Sequence, residues 1–217
     1  MLDDSTRTLT ETREGRQQEG RQQEGRSVQL HAFRSYWESM RKGHVVPRRS
    51  DIDPRRIDAL LPNAFIAERI APGVTRLRIA GQHLSELMGM EVRGMPLSSF
   101  IAPAARDDFA LRLVDLFEAP AALRMDLRSR AGVGRPDMTG TLILLPLRSD
   151  LGDVSRALGC FVTSGQIGRP SRRFEIVAAR MEALSGAATT PLRALHGGAA
   201  MQDSTVLRCR THLRVVK

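Results

Sequence analysis

The side chains best suited to chemistry are thinly spread in this sequence. Five histidines are present, His31, His44, His83, His196 and His212, and none shows the short spacing that lets one helix or turn hold a metal. Cys160 and Cys209 are the only cysteines. Without a close second thiol neither marks a metal site, and a reducing compartment would keep both as thiols. Serine, histidine and aspartate all occur, but no nucleophile-elbow motif exposes a serine. No glycine-rich loop of the phosphate- or dinucleotide-binding type opens a helix. An isomerase built around an apolar cavity would need a carboxylate or imidazole aimed into it, with a displaced pKa. On the clearest alternating segment, 122–130, the lone acid Asp126 falls on the side of Arg124 and Arg128, opposite Leu123, Met125 and Leu127. Catalysis is therefore not expected. What the sequence offers in its place is an apolar wall between Thr75 and Phe117.

That wall must be positioned by short elements. FIAERI (65–70) and TRLRIA (75–80) read as strands joined by a Pro72-Gly73 turn. In the second strand, alternation places Leu77 and Ile79 on one face and Arg76 and Arg78 on the other. Leu84, Leu87 and Met88 form a one-turn helical stripe stopped by Gly89, and Leu97, Phe100 and Ile101 follow before Pro103. Phe109, Leu113, Leu116 and Phe117 then mark a longer amphipathic helix. Three more strands follow, over 122–130, 138–148 and 157–164. The last two are apolar on both faces, which suits the middle of a sheet covered on both sides. Upstream, Leu30, Phe33, Trp37 and Met40 recur as a helical stripe that Gly43 would stop. This helix is expected to cap the sheet or to bind a second subunit. Asp53 before Pro54 predicts another helix start, with Pro62 as its end. Phe174, Val177, Met181 and Leu184 predict a C-terminal helix.

Hydrophobic residues make up 41% of the 217-residue chain, enough for one core, but aromatics only 4%, so that core is chiefly aliphatic. No run approaches the roughly 18 apolar residues of a membrane span, and the polar N-terminus lacks a signal-peptide pattern. The expected location is cytoplasmic. The net charge of +9 invites a nucleic-acid reading. The excess, however, lies in the flanks, and residues 50–165 hold equal numbers of acidic and basic side chains. Nucleic acid is accordingly not an expected partner. A basic C-terminal tail remains the only place from which it could act. Residues 1–26 repeat EGRQQ and lack any apolar pattern, which predicts a disordered arm. The expected organisation is the arm 1–26, a cap or dimerisation helix in 27–49, a domain over 50–168, a helix in 169–185 and a flexible basic tail, 186–217.

The element order, helix, two strands, a block of short helices, a longer helix and three strands, resembles the PAS domain. RLRIAG followed by HLSELMGMEVRG is similar to the second strand, turn and helix ending in G-x-x-x-x-G of that family. PRRSDIDPRRIDALLPNAFIAERI resembles, more narrowly, a PAS subfamily common in alphaproteobacteria, whose members are often short proteins without an attached kinase or cyclase. The resemblance covers roughly residues 30–182. It implies an α+β fold with a five-stranded antiparallel sheet in order 2-1-5-4-3, helices on one face and an N-terminal cap helix.

It also implies a sensory or protein-interaction module in bacterial signalling, often homodimeric through the helix carrying Leu30, Phe33, Trp37 and Met40, with a signalling protein as further partner. Its ligand chamber would fall between Leu77, Ile79, Met125, Leu127, Leu142, Leu144 and Phe161 on the sheet and Leu84, Leu87, Met88, Phe100, Phe109 and Leu113 on the helices. Such a stripe of Leu and Met is more often filled core than cofactor box, so no cofactor is expected, although a small ligand could occupy the chamber. The helix that usually carries the family's haem ligand has no histidine here, and the helical block has no cysteine for a flavin adduct. The rival expectation is a small-ligand carrier or enzyme of a curved-sheet fold using the same apolar cavity.

Overall fold

The structure, a computed structural model, describes residues 24–184. Expectations for residues 1–23 and 185–217 lie outside the described residues. The architecture follows from two strands that are apolar on both faces. In β4 (Met138–Arg148), Leu142 and Leu144 face one side while Ile143, Leu145 and Leu147 face the other. In β5 (Val154–Ser164), Ala157 and Phe161 oppose Leu158, Cys160 and Val162 in the same way. Burying both faces requires a layer on each side.

Around this pair the other strands assemble antiparallel. They are β1 (Ala64–Ala71), β2 (Val74–Ala80), β3 (Ala121–Ser129) and β6 (Glu175–Ala183), in the order β2-β1-β5-β4-β3-β6. The expected order 2-1-5-4-3 is present within it, extended by a sixth strand at the β3 edge. The inner layer comprises α2 (Gln82–Met88), short 3-10 turns and α3 (Arg106–Glu118).

The outer layer is α1, residues 24–40. Leu30, Phe33, Trp37 and Met40 are buried there against Ile143, Leu145 and Leu147 of the same chain. This corrects the dimer-interface expectation for those four side chains: they are already spent on the cap. Trp37 Nε1–H donates to the Pro146 carbonyl at 3.0 Å. Tyr36 exchanges two hydrogen bonds with the Asp53 backbone, through the Asp53 N–H at 2.7 Å and the Asp53 carbonyl at 3.0 Å. Lys42 and Gly43 then take positive φ and turn the chain away. Residues 24–26, expected in the disordered arm, belong to this helix.

Asp53 caps the following turn by accepting from the Arg55 N–H at 3.1 Å. The element it starts is a kinked 3-10 helix, Pro54–Asn63, rather than an α-helix.

The C-terminal helix expected over 169–185 is instead β6, paired along β3 from Ala121↔Ala183 to Arg128↔Glu175. A bulge between Ile176 and Ala178 explains the misleading spacing. Ile176, Ala179 and Met181 all reach the core, whereas Val177 is exposed. A bulged strand thus mimics helical periodicity, and the open edge of β3 overrides the propensity of the alanines.

Two substitutions test this packing. Trp37→Ala should cost about 3–5 kcal/mol in urea unfolding, and a loss under about 1 kcal/mol would remove α1 as the cap. At Gly159 an added Cβ would lie 2.2 Å from Phe65 Cζ, since the Phe65 ring lies flat on that glycine. Gly159→Ala should therefore destabilise by about 1–3 kcal/mol. In the Phe65→Leu background the same change should cost measurably less, whereas equal costs in both backgrounds would sink the ring-on-glycine account.

Candidate functional site

The chamber lies between the inner face of the sheet and the α2–α3 block. Leu77, Leu84, Leu87, Met88, Phe100, Phe109, Leu113, Met125, Leu127, Leu142, Leu144 and Phe161 all join one buried cluster there. Twelve of the thirteen expected lining residues are thus brought together. Ile79 is not. A bulge at Arg78 shifts the register, so that Ala67 pairs with Leu77 but Ile66 pairs with Ile79. Leu77 therefore stays inside, and Ile79 turns to the opposite face with 53% of its surface exposed.

The middle of the chamber holds three aromatic rings. Phe161 meets Phe100 edge-on at 6.1 Å and Phe174 at 5.0 Å between centroids, in the geometry that the ring quadrupoles favour. The sequence places Phe174 in a helical stripe instead, and nothing in its own segment marks Phe65 as lining. The pairing of a large ring with a glycine across two strands, Phe65↔Gly159, is a signal that no single segment displays. Every side chain at the centre is apolar, which suits packing and gives no group for proton transfer.

Ionisable groups lie at the edges. His83, half-buried at the start of α2, places Nε2 2.9 Å from Thr163 Oγ1. Burial lowers its pKa from the ordinary 6.5, partly opposed by Glu86. Cys160 points to the outer face, beneath α1, where burial pushes its thiol pKa up to about 12. An inert, protonated thiol follows. Asp126 also lies on the outer face and accepts from Thr141 Oγ1 at 3.0 Å. It lines a polar groove of about 690 Å³ with Arg26, Arg128, Asp137 and Thr139. Among the described residues no three of His, Cys, Asp or Glu group to hold a metal, and no helix is long and apolar enough to cross a membrane.

A second groove, of about 490 Å³, opens on the outer face near the β2 edge. Ile57, Leu61, Ile66, Ile79 and Leu158 line it, with Asp58 and Gln82 also contributing. The bulge at Arg78 creates it by turning Ile79 outward.

A family model described as PAS domain matches residues 26–162, more than half of the chain. Solved structures similar to the chain include the light-state structure of the blue-light photoreceptor Aureochrome1 LOV, at 13% identity and a TM-score of 0.37, covering 52% of this chain and 88% of that one. Another comes from a study of a flavin analogue and the light-oxygen-voltage domain mechanism, at 20% identity and a TM-score of 0.36, covering 52% and 87%. No curated protein matches.

The His83 environment gives a pH dependence with a defined sign. The folded state holds the imidazole neutral to lower pH than the unfolded state does, so the unfolded state binds the extra proton first. The His83 contribution is complete above the ordinary value of 6.5 and is lost as pH falls below it. His83→Gln keeps a partner for Thr163 and removes the titration. Between about pH 7.5 and about pH 5.5 the variant should lose less stability than the wild type in paired urea titrations. Parallel curves would remove His83 as a contributor.

Proposed function

The chain belongs to the PAS domain family, and from that premise we propose that it is a cytoplasmic, homodimeric sensory or protein-interaction module of bacterial signalling, without catalysis of its own. The observation that carries this reading is the chamber centre. Phe100, Phe161 and Phe174 fill it with rings, and its walls present no acid, base or nucleophile in position. A filled, uncharged interior suits a protein that signals through its surface.

A flavin finds a poor fit here. Cys160 faces α1 across the sheet from the chamber, and the three rings occupy the space a flat cofactor would need. The haem reading fares no better, since His83 is engaged with Thr163 at the chamber edge.

The stripe of α1 is buried, so association must use other surfaces. The outer groove supports one: Ile79 and Leu61 are apolar and exposed at its lining. A second copy of the chain or a signalling partner docks there in this reading. Light scattering on the full chain at micromolar concentration should report a dimer. Ile79→Lys should leave thermal stability near that of the wild type, because the side chain is half exposed, and should weaken association at least about tenfold. A monomer throughout the concentration range removes the homodimer. A dimer unaffected by Ile79→Lys removes this groove as its interface. Native mass spectrometry of the same sample tests the rest, since a co-purifying haem, flavin or acyl ligand would overturn the filled-chamber reading.

A further inference from the structure

The sheet ends at β6 in open backbone. This strand pairs with β3 on one side and with no strand on the other. Unpaired N–H and carbonyl groups along such an edge accept a further strand, and proteins commonly block them with proline or lysine. The β6 sequence, EIVAARMEA, contains neither.

Cross-strand pairing fixes which side chains share a face. Glu175, Ala178 and Arg180 lie opposite Arg128, Asp126 and Arg124, and so on the outer face. Ile176 and Ala179 lie opposite Leu127 and Met125, on the inner face. The bulge puts Val177 on the outer side too, where it lines the polar groove with Asp126. Charge along the strand is locally unmatched. Arg180 faces Arg124 across the ladder, and like charges directly opposed weaken a strand pair. Arg124 has Asp126 at 3.9 Å, whereas Arg180 has no carboxylate partner among the described residues. Five positions away, Glu175 is exposed and meets only Arg130, at the surface.

We propose that β6 pairs antiparallel with β6 of a second copy, joining two sheets edge to edge about a two-fold axis between Val177 and Ala178. That register sets Glu175 opposite the partner's Arg180, Ile176 opposite the partner's Ala179 and Val177 opposite the partner's Ala178. Symmetry repeats each pair with the roles exchanged. Each unmatched arginine thus gains a carboxylate, and all opposed residues share a face because the bulge sits on the axis. Other registers fail. A slip of one residue sets Glu175 against an inward side chain, the partner's Ala179 or the partner's Met181. A slip of two sets it against the partner's Glu182, or sets inward Ile176 against the partner's Val177. The ladder stops at Glu175, because the Phe174 N–H and carbonyl are already bonded to Phe100 and Ala102. Six residues from each copy make a small contact, so association depends on concentration. The inference rests on the homodimeric reading above but not on the Ile79 groove, which lies at the opposite edge of the sheet.

Sedimentation equilibrium of the full chain in the Ile79→Lys background, where the groove contact is suppressed, reads this contact by itself. The parent should associate reversibly, and a monomer up to about 1 mM overturns the proposal. Arg180→Glu turns both charge pairs repulsive and should weaken association at least about tenfold. Adding Glu175→Arg to it restores opposite charges in both pairs, and should return the dissociation constant to within about threefold of the parent's. An unaffected single variant, or a double variant no tighter than the single, overturns the register. Hydrogen exchange locates the contact: alternate amides of Glu175–Arg180 should slow as concentration rises, and unchanged β6 exchange in an associating sample overturns the proposal. Failure of the groove shows instead in the comparison of wild type with Ile79→Lys.

Discussion

Ile143, Leu145 and Leu147 leave β4 on one face and Leu142 and Leu144 on the other, and neither set can remain in water. Burying aliphatic surface of this kind is the largest favourable contribution to folding. Most of the architecture follows from the need to satisfy both faces at once. The inner face takes the α2–α3 block. The outer face takes α1, whose apolar stripe is consumed in the process. The two cores lie on opposite faces of the sheet, and the 3-10 segment Pro54–Asn63 of the outer side packs against α2 of the inner one.

The same constraint sorts the polar groups. With both faces of the central strands covered, most charge lies at the rims and the outward positions of the outer strands, and Arg172 is the one fully buried charged side chain among the described residues. Arg69 with Glu118 ties β1 to α3, and Glu68 is shared by Arg78 and Arg156 across β2, β1 and β5. Arginine suits such places because its fork can meet a carboxylate while its stem lies on apolar surface. Arg41 and Arg69 lie over the rings of Trp37 and Phe117, close enough for a cation–π attraction. These arginines therefore have a local, structural use.

Long periodic segments were legible in the sequence. The stripe Leu30, Phe33, Trp37 and Met40 fixed α1, and the alternation around Met125 fixed β3, because a single period runs through each. Proline and glycine at 72–73 marked the β1–β2 turn correctly. What escaped was register. One extra residue at Arg78 moved Ile79 across the sheet, and one at Val177 made a strand count like a helix. A bulge depends on how two distant segments align, and neither segment records that by itself. Phe174 was hidden for a related reason, since its place in the chamber depends on hydrogen bonds to Phe100 and Ala102, more than seventy positions upstream. Most of the chamber wall could be named in advance, but Phe174, which enters it from just before β6, carries a spacing that points to the wrong element.

Trp37 is the only tryptophan in the chain, and its indole is anchored to Pro146 beneath α1. The molecule therefore carries an optical label on its outer layer and none on its inner one. Lifting α1 would wet the indole and shift its emission to the red, whereas a rearrangement confined to the chamber side would leave it dark to that signal. Events on the two faces of the sheet can thus be separated by colour in the unmodified protein.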